Sequence, residues 1–303
     1  MKYCVLGLQW NKGVTTLIRD YREEDRDKIM HILKQGITVL NAEDEEFWFQ
    51  KDHKILIYEL ENKEIAACCS FGCWTNEFEH HGLLFLYVVP KYRRRGFGSK
   101  LYQTIFEYIR KQELTVLEVA FRVDMDDATP YFNRLGYKKW YGLHVMSYDG
   151  GMQPDPPQNM EIVSYEDRFC EAYVEAMRQG FYEMRRVHDF RPHYCMECNE
   201  NKHKELLKDK EHIFVLLENG EFAASAAVHI DEVDALGPVI VAPKYQGKGY
   251  GRIITQYVMN QAIRQGMKPV TLDVVEWNKR AVKLYESLGF QKIQTVNSFR
   301  LFL

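Results

Sequence analysis

Several things are scarce in this chain, and each scarcity narrows what it does. It has no run of about 18 apolar residues, the length a helix needs to cross a bilayer, so neither a membrane span nor a membrane partner is expected. Met1 to Trp10 lacks an apolar core long enough for a secretory leader. The seven cysteines in 303 residues are odd in number and irregularly spread. That usage fits reduced thiols in a cytoplasm and not a disulfide framework. A surplus of positive charge is also missing, since the formal net charge is −3. Nucleic-acid binding is driven by Lys and Arg at phosphates, so no nucleic-acid partner is expected.

What is present is an ordinary globular composition, 46% apolar and 27% charged. The length suits two domains, each able to bury its own core. Proline and glycine gather at Gly150 to Asn159, GGMQPDPPQN, which has no periodicity and reads as a linker. The halves it separates repeat one another. LENKEIAACCS (Leu60 to Ser70) matches LENGEFAASAA (Leu217 to Ala227), and PKYRRRGFGSKLYQ (Pro90 to Gln103) matches PKYQGKGYGRIITQ (Pro243 to Gln256). Residues 1–150 and 161–303 are therefore read as two copies of one domain joined by 151–160.

In the second copy a short strand is predicted at Glu161 to Val163, and a helix over Tyr165 to Gly180 with Phe169, Tyr173, Ala176 and Met177 on one face. A hairpin turns at Asn219-Gly220 between His212–Glu218 and Phe222–Ile230. Strands follow at Asp234–Ala242 and Val270–Val275, helices at Arg252–Gln265 and Lys279–Leu288, and one or two final strands from Phe290. Gly289 is a left-handed cap for the last helix. This order suggests a sheet with helices on both faces.

The richest stretch runs from Val241 to Arg252, between a buried strand and an amphipathic helix. Gly247, Gly249 and Gly251 permit a tight turn and remove side chains that would block a ligand. The free N–H groups of the first helical turn, with the helix dipole, form an anion site suited to a pyrophosphate. A P-loop is excluded because GxxxxGK[ST] is absent. A dinucleotide fingerprint fails because position 252 is Arg.

The pattern Q-x-x-G-x-G at Gln246, Gly249 and Gly251 instead resembles the acetyl-CoA signature of the GNAT superfamily of N-acetyltransferases. The resemblance extends to Val241-Ala-Pro243 before it, Asn278 after the next strand, and Tyr285 to Phe290 (Y-x-x-x-G-F) closing the next helix. The first half carries the same frame in Val88-Val89-Pro90, Arg93-x-x-Gly96-x-Gly98 and Leu135-Gly136-Tyr137, and Ile18 to Ile29 looks like the family's opening strand and helix. The resemblance implies two tandem α/β domains, each a mixed, mostly antiparallel sheet with helices on both faces.

It also implies an acyltransferase that uses acetyl-CoA as cosubstrate, without a metal, in a ternary complex. The pantetheine arm would pair with Pro238–Ala242, through Ile240, Val241 and Ala242. The pyrophosphate would rest on Gln246, Gly247, Lys248, Gly249, Tyr250 and Gly251, with Lys248 and Arg252 at the rim. Asn278 is either a ligand contact or a helix N-cap, and the two are compatible. Tyr285 would protonate the leaving thiolate, and a backbone N–H near Val241 would stabilise the carbonyl oxygen. The base or its water relay stays open among Asp231, Glu232, Asp234 and His229, with Glu276 at the end of the neighbouring strand. The acceptor is expected to be a primary amine of a small molecule, with a peptide or protein amine as the alternative. A non-catalytic acyl-CoA sensor is the rival class.

In the first copy Phe132 replaces Tyr285 and Met125 replaces Asn278. That copy is expected to be impaired in chemistry. It either binds a second CoA through Val88, Val89, Arg93, Arg94, Arg95, Gly96 and Gly98 or only shapes the substrate pocket. His193, Cys195, Cys198 and His203 include a C-x2-C pair, which is half of a zinc site. No second ligand pair stands at normal spacing, so they read as a loop or helix with reduced thiols. Phe181 to His203 falls where the family varies its substrate loops, and its aromatics are expected to line the acceptor pocket.

Overall fold

Near-continuous apolar runs in β2 (Lys54–Glu59) and β3 (Ile65–Thr75) indicate strands buried on both faces. A computed structural model of the chain, which describes residues 17–36, 46, 48–76, 78–124, 127–158, 160–193, 196–230 and 235–303, shows this arrangement. The chain divides into two compact units, Met1–Val119 with Phe302–Leu303, and Ala120–Leu301.

In the first unit β1 (Leu17–Asp20), β2, β3 and β4 (His80–Val88) pair antiparallel in sequence order, and β4 pairs parallel with β5 (Val116–Arg122). Adjacent residues of β2 point to opposite faces. Ile57 packs with Ile29 and Leu33 of α1 (Arg26–Gly36), whereas Tyr58 meets Phe97 of α2 (Phe97–Ile109) at 4.8 Å between ring centroids. The β4–β5 ladder joins His81–Leu84 to Val116–Val119.

The second unit begins with the end of β5, then α3 (Thr129–Arg134), β6 (Lys138–Tyr148) and β7 (Glu161–Ser164). α4 (Cys170–Val187) and α5 (Glu200–Lys208) precede the hairpin β8 (Ile213–Glu218) and β9 (Glu221–Ala227). The two-residue β10 (Ile240–Val241), α6 (Tyr250–Arg264), β11 (Val270–Val275), α7 (Lys279–Ser287) and β12 (Gln291–Phe302) complete it. One antiparallel sheet has the order β10-β9-β8-β7. The alternation of β8 places Ile213, Val215 and Leu217 under α4, and Phe214 and Leu216 under α6, so helices cover both faces.

Three features differ from the sequence reading. The helix expected from Tyr165 begins at Cys170, because the Tyr165 N–H is bonded to the Ile213 carbonyl (2.8 Å), and it runs through Gly180 to Val187. The strand expected over Asp234–Ala242 is regular only at Ile240–Val241, since Gly237-Pro238 interrupts it and proline has no N–H for a ladder. The compact units part at Val119 rather than at the proline-rich linker. The reason is β6, a strand of the first repeat, which lies between β11 and β12 and pairs antiparallel with both. β6 and β12 are equivalent strands of the repeat: Leu143 and Val296, like Gly96 and Gly249, are 153 residues apart in sequence, and they lie directly opposite each other.

Candidate active site

The site grows from the end of β10. Pro243 opens a single 3-10 turn, Pro243–Tyr245, which Gln246 ends in extended conformation. Lys244 (2.5 Å) and the Tyr245 hydroxyl (2.9 Å) both bond the Glu221 carboxylate, which fixes the turn to β9. The Gln246 side chain reaches back to the Val241 carbonyl (3.2 Å) and accepts from Arg280 (2.9 Å). Gly247 (φ 81°) and Gly249 (φ 87°) are left-handed, a conformation that costs an L-residue roughly 1–2 kcal/mol. A Cβ at either would meet nothing within 4 Å, so the loop stands open on that side. Gly249 caps α6, and the first amides of that helix to be back-bonded are those of Arg252 and Ile253, both to the Gly249 carbonyl. The preceding N–H groups are the orphans of a helix start, and they carry its positive end.

Next to this loop the strands part. The Leu236 N–H still bonds the Thr271 carbonyl on β11 (3.1 Å). Further along, β10 pairs with β9 and β11 with β6, and among the described residues no ladder joins β10 to β11. The Ala242 N–H bonds Ala223 (2.9 Å), so strand alternation turns the Val241 N–H away from β9, toward the gap.

A cavity of about 390 Å³ fills this place. Its walls include Ile240, Val241, Gln246, Gly247, Gly249, Tyr250, Gly251, Arg252, Asn278 and Tyr285 from the sequence expectation, brought together from four elements. Ala242 and Lys248 are not among its lining residues, and Lys248 lies 3.8 Å from Glu218. Tyr285 is 7% exposed on α7, and burial lifts its phenol from 10 to about 12. Its ring meets Phe290 edge-on at 5.8 Å, and among the described residues its hydroxyl has no hydrogen-bond partner. Asn278 accepts from the Ala281 N–H (3.1 Å), so it does cap α7.

Against the known families, two stretches, residues 14–137 and 171–290, match the model described as the acetyltransferase (GNAT) family, and together they make up most of the chain. The chain belongs to the acetyltransferase (GNAT) family. The ribosomal protein bS18-alanine N-acetyltransferase of Escherichia coli K12 is 36% identical over 81 residues, covering 26% of this chain and 54% of that enzyme. This chain thus spans about half the length of that relative. The mycothiol acetyltransferase of Thermobifida fusca is 24% identical over 231 residues, covering 67% of this chain and 69% of that enzyme. Among solved structures, a GCN5-related N-acetyltransferase from Sphaerobacter thermophilus shares the fold over 95% of both chains (TM-score 0.70, 18% identity).

The first GNAT repeat keeps the backbone of the glycine loop. Gly96 (φ 83°) caps α2 as Gly249 caps α6, and Arg94 takes φ 60° where the second repeat has Gly247. Arg93 donates to the Val88 carbonyl (2.9 Å) as Gln246 does to Val241, and Lys91 and Tyr92 both hold Glu64. A Cβ on Gly98 would stand 3.0 Å from Val88 Cγ2, and Val89 is buried. The Arg95 guanidinium lies over the Tyr92 ring at 5.7 Å. Phe132 is buried, stacked on Phe121 at 5.2 Å, and has no proton to give.

Asp231, Glu232 and Asp234 lie outside the described residues, as does Met125. The half-buried His229 ring packs over Gly237, its Nε2 2.6 Å from where a Cβ would be. Glu276 is ion-paired with Lys139 (2.9 Å) and lies over Gly142. Phe181 lines the cavity. Further along the same segment His188 stacks flat on Trp277 (3.8 Å, 5°), and Phe190 stacks on Trp140 (4.8 Å). Sequence reasoning did not single out Arg280, Ala281 or Leu284, which line the cavity from α7. For Ala281 a signal was available, since it stands four residues before Tyr285 on the same helical face.

Proposed function

We propose that the second repeat transfers an acetyl or short acyl group from acyl-CoA to the primary amine of a small molecule, by direct attack in a ternary complex. The observation that carries this is the convergence of an open glycine loop at the start of α6, an unpaired strand edge on β10 and a buried phenol on one cavity. The residues fit the cosubstrate. The amides around Gly247 to Gly251 suit a diphosphate, with Arg252 and Arg280 nearby as cations. The outward edge of β10 suits an added strand such as the pantetheine arm, and the Val241 N–H faces the gap where a carbonyl oxygen would gather charge. The acceptor nitrogen bonds to the thioester carbonyl carbon, the carbon–sulfur bond breaks, and the thiolate takes its proton from Tyr285. The amine's own proton leaves to a base or water relay among Asp231, Glu232, Asp234, His229 and Glu276. The stacked cluster of Trp140, His188, Phe190 and Trp277, whose last member precedes cavity residue Asn278 in the chain, supports a compact acceptor over a protein surface. The first repeat, with Phe132 in place of Tyr285, has no such proton donor and either holds a second CoA or only shapes the pocket.

The test is free-thiol release from acetyl-CoA by the whole chain against a panel of small amines and amine-bearing peptides, with Tyr285→Phe alongside. Turnover with a small amine, cut on the order of a hundredfold or more in the variant while CoA affinity holds, is the expected result. Tight CoA binding without thiol release from any amine would make the protein a sensor.

A further inference from the structure

One cluster of side chains is not among the residues that line this cavity. Cys170 is the first residue of α4, Cys198 lies just ahead of α5, and His203 is on the first turns of α5. The fold brings them together across a sequence separation of 28 residues between the two cysteines. The Cys170 and Cys198 sulfurs are 3.2 Å apart, and Cys198 Sγ lies 3.4 Å from His203 Nε2. All three candidate ligand atoms fall within 4.8 Å of one another. Two sulfurs and one imidazole nitrogen around a tetrahedral zinc would stand about 3.5–3.8 Å apart, given Zn–S near 2.3 Å and Zn–N near 2.0–2.1 Å. The Cys170–Cys198 and Cys198–His203 spacings lie within about 0.6 Å of that shell, and the sulfurs are far beyond the roughly 2.05 Å of a disulfide.

A second observation points the same way. The other nitrogen of the ring, His203 Nδ1, is 2.7 Å from Asp167 Oδ1. A carboxylate there accepts a hydrogen bond from the Nδ1–H, fixes the tautomer and leaves the Nε2 lone pair directed at the sulfurs. Metal-ligating histidines are oriented in this way by carboxylates behind them. Asp167 stands three residues before Cys170, in the 3-10 turn Asp167–Phe169 that leads into α4. One local segment thus supplies both a ligand and the group that orients another.

We infer that Cys170, Cys198 and His203 bind a zinc ion that ties the start of α5 to the start of α4. The soft thiolate set favours zinc over calcium or magnesium, which take oxygen ligands. The described side chains fill three of four tetrahedral positions. In the sequence Cys195 stands in C-x2-C spacing to Cys198, and it lies outside the described residues. His193, which stands two residues before Cys195 in the chain, faces Asp189 at 3.9 Å instead. This departs from the reading of the segment as loose thiols, which looked for a second ligand pair nearby in the chain and overlooked Cys170.

The experiment uses the full chain, purified under reducing conditions, with zinc measured by elemental analysis. A zinc content near one per chain is expected. After stripping with a chelator, titration with Co²⁺ should give thiolate-to-cobalt charge-transfer absorption that saturates at about one equivalent. Cys198→Ser and His203→Asn should abolish that saturation, and Asp167→Asn should weaken zinc affinity by roughly 10–100-fold. Trace metal content, with no charge-transfer band while the thiols titrate as free, overturns the site. So does a Cys170–Cys198 disulfide in the chain as purified. Because the cobalt titration is done on the unsubstituted protein, misfolding of a variant cannot disguise the answer.

Discussion

Replacing Gly251 with alanine should make this protein more stable and, on the proposed function, a poorer binder of CoA at once. Gly251 is the second residue of α6 and does not take a left-handed φ. Alanine in a helix is better than glycine by about 0.8–1 kcal/mol. A Cβ there would sit 3.4 Å from Val241 Cγ2 and 3.8 Å from Leu284 Cδ2, ordinary contact that costs the empty protein little. A gain approaching 1 kcal/mol corresponds to a rise in Tm of about 2–4 °C for a unit of this size. The same methyl projects between β10 and α7, both of which line the cavity, where on the proposed function the backbone comes close to a diphosphate. A tenfold loss of affinity corresponds to about 1.4 kcal/mol, and at least that loss is expected. Differential scanning fluorimetry without ligand and calorimetric titration with CoA give the two numbers. A stabilised variant that binds CoA as tightly as before would refute the reasoning, because the bare amide at Gly251 would then serve the helix alone.

Three further outcomes follow from other parts of the molecule. The Tyr285 phenol, pushed up to about 12 by burial, holds its proton more tightly when folded than when unfolded, where it titrates near 10. Its contribution to stability is whole below pH 10 and is lost as pH rises from 10 to 12, so thermal melts should show a steeper alkaline decline in the parent than in Tyr285→Phe. In the first unit Arg19 grips both Asp25 (2.7 Å) and Glu59 (2.6 Å), and this holds both carboxyls below their ordinary range. Their stabilisation is present above about pH 4 and lost as pH falls through the lowered values. Arg19→Met should cost about 3–5 kcal/mol at neutral pH in urea denaturation and flatten that acid limb. A Cβ on Gly142 would stand 2.8 Å from both Glu276 Oε2 and Asn297 Oδ1. Gly142→Ala should therefore lower kcat with CoA affinity intact if Glu276 relays the amine proton, and an unchanged kcat would remove Glu276 from that role.

The parts of the site legible in the sequence were those fixed by local chemistry. Glycine at 247, 249 and 251 announces a tight turn and a bare helix start, and Asn219-Gly220 announces a hairpin, because each motif carries its own backbone requirement. What stayed hidden depends on contacts distant in the chain. The interruption of the strand before Val241 follows from Gly237-Pro238, yet its apolar composition argued for a longer strand. The helix after Tyr165 starts late because a backbone bond to Ile213 holds that residue. Cys170 gave no sign of joining Cys198 and His203, since only the packing of α5 beside α4 unites them. Arg94 is instructive in the other direction: its side chain suggests a degraded loop, while its positive φ shows the turn kept without the glycine.

The place of β6 between β11 and β12 also governs how this protein can be made. During synthesis β6 leaves the ribosome as an orphan strand, and more than a hundred residues must follow before either neighbour exists. At about 5–20 residues per second that wait is on the order of ten seconds. Through that interval a strand bearing Val145 and Met146, both buried at completion, has no edge to join. A polypeptide cut in the proline-rich stretch would separate β6 from both of the strands that flank it.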